Sequence, residues 1–171
     1  PNEIIGKHRK SHGYIAEPKW SAPGQEHLVF DTDIGKIGIL ICMDIHFIET
    51  ARLVALQDAD IIIHISNWLS ERTPAPYWIS RAFENSCYLI ESNRWGLERT
   101  VQFSGGSCII NPDGSIASVI DKGDGIAYAK IDLSWSRKRE VLDEKTFNDR
   151  RPEMYLNLPT DPYLWNPLDF F

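Results

Sequence analysis

Two short runs, Ile37–Ile41 and Ile61–Ile65, constrain this chain most. Both are rich in β-branched residues and lack the in/out alternation of a half-exposed strand. Strands apolar on both faces need cover on both, as in a parallel sheet flanked by helices. Between the two runs, Ile48–Gln57 places Ala51, Val54 and Ala55 on one helical face. After the breaker Thr73-Pro74-Ala75-Pro76, the residues Trp78, Ile79, Ala82 and Phe83 recur at helical spacing. Tyr88–Glu91 reads as a third strand. This order, β-α-β-α-β, predicts helices packed on a largely parallel sheet.

The flanks read as antiparallel additions. Leu28–Thr32 reads as a strand joined to Ile37–Ile41 by the turn Asp33-Ile34-Gly35-Lys36. Cys108–Ile110 and Ile116–Ile120 flank Asn111-Pro112-Asp113-Gly114, a strong turn signal. Ile126–Ile131 alternates as a further strand, and Trp135–Leu142 is helix-like. Residues 1–24 are irregular, with Gly6, Gly13, Pro18, Pro23 and Gly24 as breakers. The fold class is α/β, with one domain over residues 1–149 and an aromatic, proline-rich tail over 150–171.

Composition excludes several functions. The chain has 171 residues, with 18 Lys and Arg against 24 Asp and Glu, so a phosphate-binding surface for nucleic acid is disfavoured. The longest apolar run, Ile37–Met43, is too short to span a bilayer, and the first residues given do not show the charged-then-apolar pattern of a secretory signal. Three cysteines without a CxxC favour neither a disulfide framework nor a cysteine zinc site, and suit a reducing, cytoplasmic setting. His8 and His12 would have Arg9 and Lys10 between them, which repel a cation, so no metal site is expected. The phosphate-cradling patterns GxxxxGK and GxGxxG are absent.

Cys42 stands where a buried strand ends and a helix is about to begin, at the carboxyl edge where open α/β sheets place their sites. Free backbone N–H groups in such a turn favour a thiolate and bind an oxyanion. On position alone Cys42 is either a nucleophile or a small buried core thiol. Lys10 is either part of a solvated basic cluster or a cation held in a concave site. Asn67 and Trp68 follow the second strand at the same sheet edge, and Trp68 reads equally as a pocket wall or a core aromatic. Asn93 follows the third strand. Arg81 and Glu84, three apart on one helix, read as scaffold, and Cys87 and Cys108 as packing residues.

Taken together these blocks resemble the nitrilase superfamily of carbon–nitrogen hydrolases. His8-Arg9-Lys10-Ser11-His12 is similar to its lysine motif, Glu17 with Pro23-Gly24 to its second glutamate and downstream Pro-Gly, and Gly38–Glu49 to its nucleophile motif. Ala51-Arg52, Arg81–Asn85, Asn93, Gly105-Gly106-Ser107 and Asn111–Gly114 continue the match, which covers residues 8–133. The resemblance implies part of a four-layer α-β-β-α sandwich. It implies Cys42 as nucleophile of a thioester acyl-enzyme, Lys10 with the Met43 N–H as oxyanion stabiliser, and Glu17 as a positioning carboxylate. Asn67 and Trp68 would border the substrate. It implies no cofactor. A thiol beside Lys10 should be more thiolate-like than a free one.

Asp44 tilts the expected substrate toward a small amide or N-carbamoyl compound, with a nitrile as the alternative. His46 stands where the family often has arginine, and Ile48 where it often has proline. The family's general-base glutamate lies well upstream of the lysine motif, and Glu3 is in the wrong context for it. That base is therefore expected on an upstream segment or chain, and the tail on a homo-oligomer contact. A non-catalytic subunit is the reading of another class. Lys10, Glu17 and Cys42 are expected to converge in one pocket.

Overall fold

The computed structural model describes residues 3–69, 72–142 and 144–155. Along the chain run β1 (Val29–Thr32), β2 (Gly35–Ile41), α1 (Ile48–Ala55), β3 (Ile61–Ser66), α2 (Pro76–Asn85), β4 (Tyr88–Asn93), β5 (Trp95–Glu98), β6 (Val101–Ser104), β7 (Ser107–Ile110), β8 (Ile116–Ile120), α3 (Leu133–Arg137) and α4 (Pro152–Tyr155). One six-stranded sheet has the order β1-β2-β3-β4-β7-β8. Its centre, β2, β3 and β4, is parallel, and the outer pairings are antiparallel. The register aligns Ile37 with Ile61 and Ile61 with Tyr88, so the carboxyl ends of the three central strands lie side by side.

Helices α1 and α2 cover one face. Ala51, Val54, Ala55, Trp78 and Ala82 form one buried cluster with Leu40, Ile62, Leu89 and Ile110. Gly38 lets α1 come close, since a Cβ there would lie 2.7 Å from Val54 Cβ. Among the described residues the opposite face is covered at one end only. There Trp135 of α3 meets Tyr88 edge-on, and Arg137 holds the buried Asp60 at 3.0 and 3.1 Å. Toward the carboxyl ends this face stays open: Ile39, Ile63 and Ile90 are half-buried and Ile65 is 45% exposed. The described residues therefore build a helical layer and a sheet layer of the expected sandwich. Among them no helix is long and apolar enough to cross a membrane.

Two expectations are corrected, and one hairpin is added. Ile126–Ile131 alternates but has no ladder partner among the described residues and is irregular; alternation alone does not make a strand, since strand preference depends on the packing and pairing around it. The helix expected over Trp135–Leu142 is instead α3, which starts at Leu133, is capped by Asp132 Oδ1 accepting from Ser134 N, and ends at Arg137. The hairpin β5–β6 was not foreseen. In the tail, Met154 and Tyr155 are exposed, while Leu156, Tyr163, Leu164, Trp165, Phe170 and Phe171 lie outside the described residues.

Replacing Gly38 by alanine should push α1 off the sheet and cost about 1–3 kcal/mol. Urea denaturation checks this, and an unchanged midpoint would contradict the packing described.

Candidate active site

Strand β2 delivers Cys42 to the carboxyl edge of the sheet and then turns sharply. Cys42 has a φ of +46°, a left-handed conformation that a non-glycine residue adopts only when its surroundings hold it there. A short 3-10 turn, Cys42–His46, follows. The turn is tied down from several directions. Asp44 Oδ2 accepts from Ile41 N at 3.0 Å, Thr50 Oγ1 donates to Asp44 O at 2.8 Å, and Arg81 donates to the carbonyls of Ile45 and His46, both at 3.2 Å. Arg81 also pairs with Glu84 at 3.0 Å, so this scaffold pair buttresses the nucleophile turn.

The lysine segment is hung on the same aspartate. Asp44 Oδ1 accepts from Ser11 N at 3.0 Å, Ser11 Oγ at 2.8 Å and His12 N at 2.9 Å, and Oδ2 from His8 Nε2 at 3.1 Å. The Asp44 side chain is fully buried. Burial alone would raise its pKa, but the bonds from His8, His12, Ile41 and Ser11 outweigh it and hold the carboxyl well below the usual range. On the far side, Gly24 N donates to Lys10 O at 2.8 Å. A Cβ at position 24 would lie 2.2 Å from the Arg9 carbonyl oxygen, so the close approach requires glycine.

Lys10 Nζ forms a very short ion pair with Glu17, whose Oε2 also accepts from Tyr14 N at 2.6 Å. Lys10, Glu17, Cys42, Asn67 and Arg94 line one open cleft of about 480 Å³. The three residues expected to converge thus share a pocket. The backbone N–H groups of Asn67 and Met43 favour the charged form of Cys42. A recess of about 40 Å³ beside Cys42 is lined by Tyr14, His46, Asn67, Trp68 and Leu69. Trp68 is 4% exposed, stacks on Trp78 at 6.0 Å and meets His46 at 4.8 Å, so it is a core aromatic whose edge also walls this recess.

The expectation of a thiolate-like cysteine is overturned. Burial pushes the Cys42 thiol above its ordinary value. The N–H groups of Asn67 and Met43 and the charge of Lys10 pull the other way without prevailing, and Glu17 both pairs with Lys10 and raises the thiol further. Cys87 and Cys108 are pushed up by burial to about 11 and about 12, which leaves them inert.

Sequence reading passed over the Asp44 clamp and a polar network under Cys42. His64 Nε2 bonds Cys42 O at 3.0 Å while His64 Nδ1 meets Glu91, and Ser66 bridges Glu91 and Asn93. Asn93 holds Trp68 N at 2.8 Å and Gly105 O at 2.6 Å, so it orders the loop after β3. One signal was available, an ionisable residue in each of two central strands.

The fold and site define a class, an α/β sheet with a lysine, a glutamate and a cysteine gathered at its carboxyl edge. The carbon–nitrogen hydrolase family model matches residues 1–139. A nitrilase of Pyrococcus abyssi is 37% identical over 158 residues, 91% of this chain and 60% of that protein. A 2-oxoglutaramate amidase of Bacillus subtilis is 32% identical over 160 residues, 90% of this chain and 60% of that protein. Among solved structures, a mutant of the amidase from Nesterenkonia sp. AN1, showing covalent addition of the acetamide moiety of fluoroacetamide at its active-site cysteine, superposes with a TM-score of 0.75 at 25% identity. That match covers 88% of this chain and 55% of the other. This chain belongs to the nitrilase superfamily of carbon–nitrogen hydrolases. It spans a little over half the length of these relatives.

Asp44→Asn should cost roughly 2–4 kcal/mol at pH 7, because the charge and one of the two acceptor oxygens are lost and an NH2 group faces buried donors. The folded carboxyl titrates below its ordinary 3.8. Its stabilisation is therefore complete above about pH 5 and is lost as pH falls below the ordinary value toward the folded one. The gap between wild type and variant, read by denaturation from pH 6 down to pH 2, should shrink toward the acid end. A gap independent of pH would contradict the clamp.

Proposed function

We propose that this chain carries the nucleophile half of a cysteine-dependent hydrolase of a non-peptide carbon–nitrogen bond, an amide or N-carbamoyl group, acting through a thioester. The observation that carries the reading is the gathering of Lys10, Glu17 and Cys42 in one cleft. Cys42 Sγ attacks the substrate carbonyl, and the S–C bond forms as the C=O electron pair moves onto oxygen. That oxyanion is stabilised by Lys10 and the Met43 N–H. Collapse breaks the C–N bond, and the amine leaves with a proton. Water then attacks the thioester, releases the acid and returns the thiol.

Both halves need a base, first for the thiol proton and then for water. Because Lys10 is already paired with Glu17 and burial raises the thiol, Cys42 is not self-activated. We assign the base to a glutamate on a segment upstream of Lys10, where it would pack on the open face near Ile65. The names of the Bacillus and Nesterenkonia relatives support an amide substrate, and the Nesterenkonia adduct supports a cysteine nucleophile. The Pyrococcus relative's name favours a second reading, conversion of a nitrile to acid and ammonia at the same thiol. The tail from Arg150 is assigned to contact between copies of the chain. Three free cysteines suit a cytoplasmic setting.

In the full protein, Cys42→Ala should abolish amide turnover and the acyl-enzyme mass, while Cys87→Ser and Cys108→Ser keep both. Lys10→Met should lower kcat by about 10²–10³-fold. Normal turnover by Cys42→Ala would overturn the assignment.

A further inference from the structure

Below the nucleophile turn lies a buried pair that the chemistry above does not use. His64 of β3 and Glu91 of β4 are direct register partners, and neither side chain is exposed to solvent. His64 Nε2 faces the Cys42 carbonyl oxygen at 3.0 Å, and Nδ1 faces Glu91 Oε2. A carbonyl oxygen only accepts, so Nε2 must carry a hydrogen. A ring protonated on Nδ1 alone would set two lone pairs against each other at Cys42 O. Nδ1 and Glu91 therefore share a second proton, and whichever holds it, the Nε2 hydrogen is retained. Glu91 is fixed in turn by Ser66, and Ser66 by Asn93 Oδ1 at 2.9 Å.

The consequence lies in the geometry of one peptide. In a trans peptide the C=O and N–H point in opposite directions. The Cys42–Met43 peptide is trans, and its carbonyl is drawn down to His64. Its N–H is therefore turned the opposite way, away from His64.

We propose that His64, locked by Glu91, is a positioning residue for acyl transfer, aiming the Met43 N–H at the point where the oxyanion develops. This rests on the reading of Cys42 as nucleophile. Its effect belongs to steps that form an oxyanion, and displacement at a saturated carbon by the same sulfur forms none.

The test uses the full protein and two reagents, p-nitrophenyl acetate for acylation and iodoacetamide for alkylation, each followed by mass spectrometry at Cys42. His64→Leu with Glu91→Leu removes both buried polar partners together, a change that leaves no unpaired charge. This double variant should alkylate within about threefold of wild type yet acylate, and turn over amide, about 10²–10³-fold more slowly, with KM little changed. His64→Gln, whose amide N–H can reach the Cys42 carbonyl, should recover at least tenfold over His64→Asn, whose amide cannot. If the double variant does not fold, this Gln-against-Asn comparison decides.

Equal acylation by wild type and double variant would overturn the proposal alone. Parallel loss of alkylation and acylation would mark His64 as merely structural and overturn it too. Absence of acylation at Cys42 in the wild type would overturn the parent reading and this one together.

Discussion

The carboxylate of Asp44 accepts from His8, Ser11 and His12 on one side and from Ile41 on the other. Those donors belong to stretches of chain far apart in sequence, one carrying Lys10 and the other carrying Cys42. An unpaired buried carboxylate is costly, and one saturated with donors is a rigid junction. The distance between cation and thiol is thereby set by backbone anchored to a common acceptor rather than by flexible side chains. Lys10 then needs only Glu17 to fix its last torsions, and Gly24 closes the segment from behind.

The sheet supplies the other half of the geometry. Three parallel strands in register end together, so Cys42, Asn67 and Arg94 follow β2, β3 and β4 around one cleft. Helices α1 and α2 support this edge from one face, and Arg81 of α2 reaches the turn directly. The site is thus built on rigid elements where the chemistry needs precision. Among the described residues the face toward Ile65 is left open, on the same cleft as Cys42.

Much of this could be read in the sequence, for physical reasons. Buried strands Ile37–Ile41 and Ile61–Ile65 announce themselves by lacking alternation, and Asn111–Gly114 by its turn chemistry. Cys42 and Lys10 stood out by position and by family resemblance. What was missed depends on pairing between distant residues. Ile126–Ile131 has the pattern of a strand but pairs with no strand among the described residues, and β5–β6 has the pairing without a strong pattern. Asp44 looked like a marker of substrate class, since nothing local reveals that its acceptors are filled from residues 8–12. The lowered thiol pKa expected from a neighbouring lysine was wrong because Glu17 pairs that lysine and burial prevails.

The proposed reaction passes through a single acyl-enzyme on Cys42, whichever carbon–nitrogen or ester bond delivers the acyl group. Partition with hydroxylamine tests it most directly. An amide and an ester of the same acid are turned over by the full protein in the presence of hydroxylamine, and the hydroxamate-to-acid ratio is measured for each. A shared thioester requires the same ratio for both, because the leaving group has departed before the choice is made. A ratio that depends on the leaving group, or acyl mass on a peptide lacking Cys42, would contradict the account.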